Sequence, residues 1–114
     1  MAEIIPLPND RAMEKLPIHI EVQPESFPER FRVRFEWNYI AEKWTIEVEH
    51  VSIDRTVVNG FASPYLPYWY DPYILFVLID PSGEEMEVTP ENLGDSVRLF
   101  AFPGPAGQTE EEAN

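Results

Sequence analysis

The chain has 114 residues, 44% of them hydrophobic, which is enough for one small domain and too little for two ordinary ones. Twenty-one acids against eight bases leave a net charge of −13, so a phosphate-backbone binder or an anionic-membrane binder is disfavoured, because both need clustered Lys/Arg. The absence of cysteine removes disulfides, thiol catalysis and Cys-ligated zinc.

The start, Met1-Ala-Glu-Ile-Ile-Pro, shows neither a basic region nor a long apolar stretch, so no secretory signal is read there. Ile4-Ile5-Pro6-Leu7 reads as a short extended piece at a sheet edge, since proline cannot donate to a ladder. Asn9 to Leu16 can form one helical turn. Ile18 to Val22 alternates apolar and polar residues and reads as a strand, and Gln23 to Glu29, with Pro24 and Pro28, is a connection.

Phe31 to Trp37 and Trp44 to His50 carry the strongest signal, two period-2 segments joined by a loop from Asn38 to Lys43. With Trp37 opposite Trp44, Phe35 meets Ile46 and Val33 meets Val48 on one face. Arg34 then meets Glu47 and Arg32 meets Glu49 on the other. A slip of one residue would bury those four charges, so the register is specified.

Arg55 to Phe61 reads as a strand ending at the turn dipeptide Asn59-Gly60. Ile74 to Ile79 is apolar on both faces and should be the most buried strand. It stops at Asp80-Pro-Ser-Gly83, which suits a type I turn. Glu84 to Val88 would then return antiparallel, with Met86 and Val88 inward and Glu85 and Glu87 outward. Thr89-Pro90-Glu91 signals a helix start and Gly94 its close, about one turn later. Val97 to Phe102 is a last strand with Val97, Leu99 and Ala101 on one side. The expected fold is all-β: a single small antiparallel barrel or sandwich of about 6–7 strands with one short helical turn. It spans residues 1–102, with an extended N-terminal segment and an acidic Pro/Gly tail over 103–114. The longest apolar run, Tyr73 to Ile79, is far short of the roughly 20 residues that cross a bilayer.

Chemistry-bearing constellations are sparse. His19 and Glu21, at i and i+2 on a strand, do not make a metal site. The acids from Asp80 to Glu91 fail as a calcium loop, with Glu85 where glycine is required and Val88 at the ninth position. No serine stands in a Gly-x-Ser-x-Gly elbow, no glycine-rich phosphate loop exists, and His50 opposite Phe31 reads as structural. The residues offer no enzyme, no cofactor and no metal. What stands out is Pro64 to Tyr73, which holds Tyr65, Tyr68, Trp69, Tyr70 and Tyr73 between stiffening prolines. These rings can fold back over the domain's own sheet, present a protein-partner surface, or form a sugar platform. As a partner site, all five are candidates, with Tyr68, Trp69 and Tyr70 foremost.

The start Ile4-Ile-Pro-Leu-Pro-Asn9, the strand core Trp44-Thr-Ile-Glu-Val48, the Asp80-x-x-Gly83 turn and the closing Pro90 to Leu99 resemble the small baseplate plug proteins of contractile-tailed bacteriophages. The likeness covers most of residues 3–102, and the aromatic-proline loop and acidic tail depart from it. The resemblance implies a small β-barrel-like structural subunit of the virion, present in several copies where the tail tube meets the baseplate hub. It implies no catalytic residues, and assembly in the host cytoplasm. Composition adds no membrane partner and no direct nucleic-acid binding. Two other readings stand beside it: an acidic β-protein that mimics nucleic acid to block a host factor, and a carbohydrate-binding module.

Overall fold

The computed structural model describes residues 3–25, 28–70, 73–84 and 87–104. In chain order these form β1 (Glu3–Ile5), α1 (Asn9–Met13), β2 (Ile18–Val22), β3 (Phe31–Asn38), β4 (Lys43–His50), a 3-10 turn (Val51–Ile53), β5 (Arg55–Phe61), β6 (Tyr68–Tyr70), β7 (Ile74–Ile79) and β8 (Arg98–Pro103). The strands make two four-stranded antiparallel sheets, ordered β1-β8-β7-β6 and β2-β3-β4-β5. The fold is therefore the sandwich alternative of the expected all-β class, with eight strands instead of six or seven.

The second sheet is a meander, and its central hairpin adopts the register read from the sequence. Trp37 pairs with Trp44, Phe35 with Ile46, Val33 with Val48 and Phe31 with His50. Ile18, Phe31, Val33, Phe35, Trp44, Ile46 and Val48 are buried on the inner side. On the outer side Arg32 lies between Glu49 at 2.8 Å and Glu21 at 3.3 Å, and Arg34 lies 3.2 Å from Glu47. These pairs are partly exposed and are screened, so they fix register more than they stabilise. Arg34→Ala is expected to lower the unfolding free energy by about 0.2–1 kcal/mol, read by urea titration.

In the first sheet β7 is central, with Ile74, Phe76, Val77 and Leu78 buried. β1 is an edge strand, as expected, and Pro6 follows its last residue. The sheets meet through Phe31, whose ring packs edge-on against Phe76 (centroids 5.6 Å) and Tyr70 (5.9 Å).

Three local expectations change. Asn59-Gly60 is not a turn: Asn59 pairs with Glu47 and Gly60 with Ile46 inside β5. β4 supplies a ladder that outweighs the dipeptide's turn preference. Glu84 to Val88 does not return beside β7, because both edges of β7 are already taken by β8 and β6. Among these residues Glu84, Glu87 and Val88 are irregular, with Val88 still buried, while Glu85 and Met86 lie outside the described residues. Third, Thr89 to Gly94 forms a hydrogen-bonded turn instead of a helix. The capping chemistry is nonetheless present. Asn92 N–H donates to Thr89 Oγ1 (3.1 Å) and Thr89 N–H to Asn92 Oδ1 (2.7 Å). Asp80 to Gly83 does turn as expected, with Gly83 N–H donating to the Asp80 carbonyl at 2.9 Å.

Candidate assembly surface

Alternation along β6 divides the aromatic loop. Tyr68 points inward and is buried. Its hydroxyl donates to the Phe61 carbonyl (2.7 Å) and accepts from the Ser63 amide (2.8 Å), and burial pushes its phenol above the ordinary range. Tyr70 also points inward, against Phe31 and His50. Trp69, between them, is 47% exposed, with Tyr65 and Tyr73 exposed nearby in sequence. Tyr65 is nevertheless held, its amide donating to the Leu78 carbonyl (2.8 Å) and its hydroxyl to the Asp80 carbonyl (3.0 Å). Tyr73 leans on Tyr70 at 5.1 Å between centroids. The loop thus does two jobs: Tyr68 and Tyr70 seal the core, and Tyr65, Trp69 and Tyr73 face outward.

Trp69 does not stand alone. Its ladder partner is Leu75, which pairs in turn with Phe102. One step along, Val77 pairs with Phe100 and Phe100 with Ile4. Strand alternation puts all of these on the outward face of the first sheet. Phe100 and Phe102 stack there with centroids 6.4 Å apart. Among the described strand residues of that face, Arg98 opposite Ile79 is the one charge. An antiparallel sheet with a solvated face alternates apolar and polar residues; this one is apolar on both sides. The two outer faces of the sandwich are therefore unlike, one a lattice of ion pairs and the other a hydrocarbon and aromatic surface.

A second exposed apolar element was not legible as such in the sequence. At the β3–β4 tip Tyr39 and Ile40 are exposed, Ile40 by 98%. Asn38 Oδ1 accepts from the amides of Ile40 (3.0 Å) and Ala41 (2.9 Å), which holds the tip in shape. A β-branched residue in a turn that favours polar ones was the available signal.

His50, itself buried, is the hub of a polar cluster that reaches the surface at Glu29 and Ser52. Nδ1 meets the Tyr70 hydroxyl at 2.9 Å, and Nε2 meets Glu29 Oε2 at 2.7 Å and Ser52 Oγ at 3.1 Å. A Ser-His-acid relay needs the hydroxyl and the carboxylate on different ring nitrogens. Here the Ser52 hydroxyl and the Glu29 carboxylate share Nε2, and the cluster ties β4 to β6 and to the segment before β3. The Ser52 hydroxyl, and then the hydrogen bond from His50, hold the Glu29 carboxyl below the ordinary carboxylate range. A carboxyl lowered by folding contributes stability above its unfolded range and loses it as pH falls through the lowered value. Unfolding midpoints taken from neutral to acid pH should therefore decline, and Glu29→Gln should flatten part of that decline.

His19 reaches Glu36 at 3.8 Å across β2 and β3. Among the described residues no group of three His, Cys, Asp or Glu side chains could hold a metal ion. No described helix is long and apolar enough to cross a membrane.

Residues 3–104 match the family described as cyanophage baseplate Pam3 plug gp18. Neither the curated proteins nor the solved structures gave a match.

Proposed function

Because the chain belongs to the cyanophage baseplate Pam3 plug gp18 family, we propose that it is a non-enzymatic structural subunit of a contractile phage tail, joining tail tube and baseplate hub by protein–protein contacts. The observation that carries this reading is the extent of the match, residues 3–104, which takes in every described strand. The geometry supports it in kind. Rigid aromatic residues, an apolar sheet face and a fixed apolar hairpin tip are the parts from which a docking subunit is made. Several copies in a symmetric arrangement, assembled in the host cytoplasm, complete the proposal. The paired arginines count against a nucleic-acid mimic, since Arg32 and Arg34 interrupt any row of carboxylates at phosphate-like spacing. Mass spectrometry and a density map of purified particles test the reading; particles with intact tails that lack this chain would end it.

Within the assembly Trp69 is the aromatic anchor best presented for contact. Trp69→Ala should weaken attachment by about 2 kcal/mol or more, roughly thirtyfold in affinity. The fold should be unaffected, because the indole faces outward. Normal copy number in mutant particles would remove Trp69 from the interface.

A further inference from the structure

The outward face of β1-β8-β7-β6 is finished like an interior, and the identity of what covers it follows from charge. Residues 62–104 hold seven acids and one base, Arg98, whereas residues 1–61 hold eleven acids and seven bases. Two bases of the second sheet, Arg32 and Arg34, are engaged with Glu21, Glu47 and Glu49 on its own surface. The segments flanking the apolar face are acidic: Glu84 is exposed in the turn that follows Ile79, and Asp95 is exposed three residues before Arg98. A second copy docked face to face would bring two such acidic margins together, each on a chain of net charge −13. Like charges at a rim oppose association, and complementary ones direct it.

We propose that this face is buried in the assembly against a different protein, one whose apolar patch receives Trp69, Leu75 and Phe100 and whose Lys/Arg rim meets Glu84 and Asp95. The inference deepens the baseplate reading and rests on it. It also separates two roles in the sandwich. The apolar sheet binds the neighbour, and the ion-paired sheet stays wet.

Hydroxyl-radical footprinting of intact particles against the isolated chain reads the face directly. Trp69 and Phe100 should be protected in particles. Equal labelling in both samples would overturn the proposal while leaving the baseplate role standing, since the chain would still be in the particle. The rim is tested separately with the double variant Glu84→Lys, Asp95→Lys, both changes being at exposed positions. Several-fold fewer copies per particle are expected, and an unchanged copy number would overturn the basic-rim partner. Sedimentation of the isolated chain in low and high salt examines the rival occupant. Self-association that Phe100→Ser abolishes would make a second copy the occupant and overturn the proposal. Absence of the chain from particles would defeat the baseplate reading itself, and this inference with it.

Discussion

Phe31→Ala is expected to lower the unfolding free energy by about 3–5 kcal/mol, the range for deleting a fully buried phenylalanine. The ring is inaccessible and sits where the two sheets meet, with centroids 5.4 Å from His50, 5.9 Å from Tyr70 and 5.6 Å from Phe76. Removing it leaves a void bounded by rigid strands on both sides. β3 pairs with both β2 and β4, so its backbone cannot collapse into the space. Small domains are stable by only about 5–15 kcal/mol, so the loss is a large fraction of the total. At this size each kcal/mol lowers Tm by about 4–8 °C. Urea unfolding should show a reduced midpoint at an unchanged slope, which marks lost stability instead of an altered denatured state. A loss below about 1 kcal/mol would contradict sheet packing through this ring. Phe31→Leu, which keeps most of the volume, should cost much less.

Gly94→Ala is expected to cost at least about 2 kcal/mol, through two separable causes. Gly94 has φ +87°, a left-handed conformation that charges a side chain about 1–2 kcal/mol. An added Cβ would also stand 2.7 Å from the Leu7 carbonyl oxygen and 3.2 Å from the Asn9 nitrogen. Both neighbours are backbone and cannot rotate away. The contact matters because it docks the N-terminal segment: Asn9 Nδ2 donates to the carbonyls of Glu91 (3.1 Å) and Leu93 (3.0 Å) across the same junction. Displacing it should loosen β1 from β8, so amide exchange in those strands should rise beyond the global change. Gly83 is the control, with φ +76° and open space where its Cβ would go. Gly83→Ala should show the conformational cost alone. Equal losses at the two glycines would refute the close approach to Leu7.

The strand pairing over 31–50 was legible because burial and charge pairing both repeat every two residues, and one register satisfies both. β2 and β8 could be read from their alternation, β7 from its continuous apolar run, and the edge position of β1 from Pro6. Where the reading missed, a single local preference faced an alternative that depends on distant residues. Asn59-Gly60 favours a turn, but β4 offers hydrogen bonds that hold both residues in β5. Glu84 to Val88 has strand-like alternation, but β7 has no vacant edge for it. Of the aromatic residues, their presence was readable and their division was not. Tyr68 and Tyr70 turn inward and Trp69 outward because β6 pairs with β7 in one particular register.

What the amino-acid order determined by itself is the class of object: an all-β domain without cysteine, strongly acidic, and with chemistry suited to contact. Period-2 patterning is a local property, and local properties survive without knowledge of the fold. Which side of β7 meets the second sheet and which stays outside had to await the folded molecule. The strand is apolar on both sides, so its own residues cannot tell inside from outside. The packing of the second sheet, with Phe31 edge-on against Phe76, makes one face a core and leaves the other, from Trp69 to Ile4, on the outside.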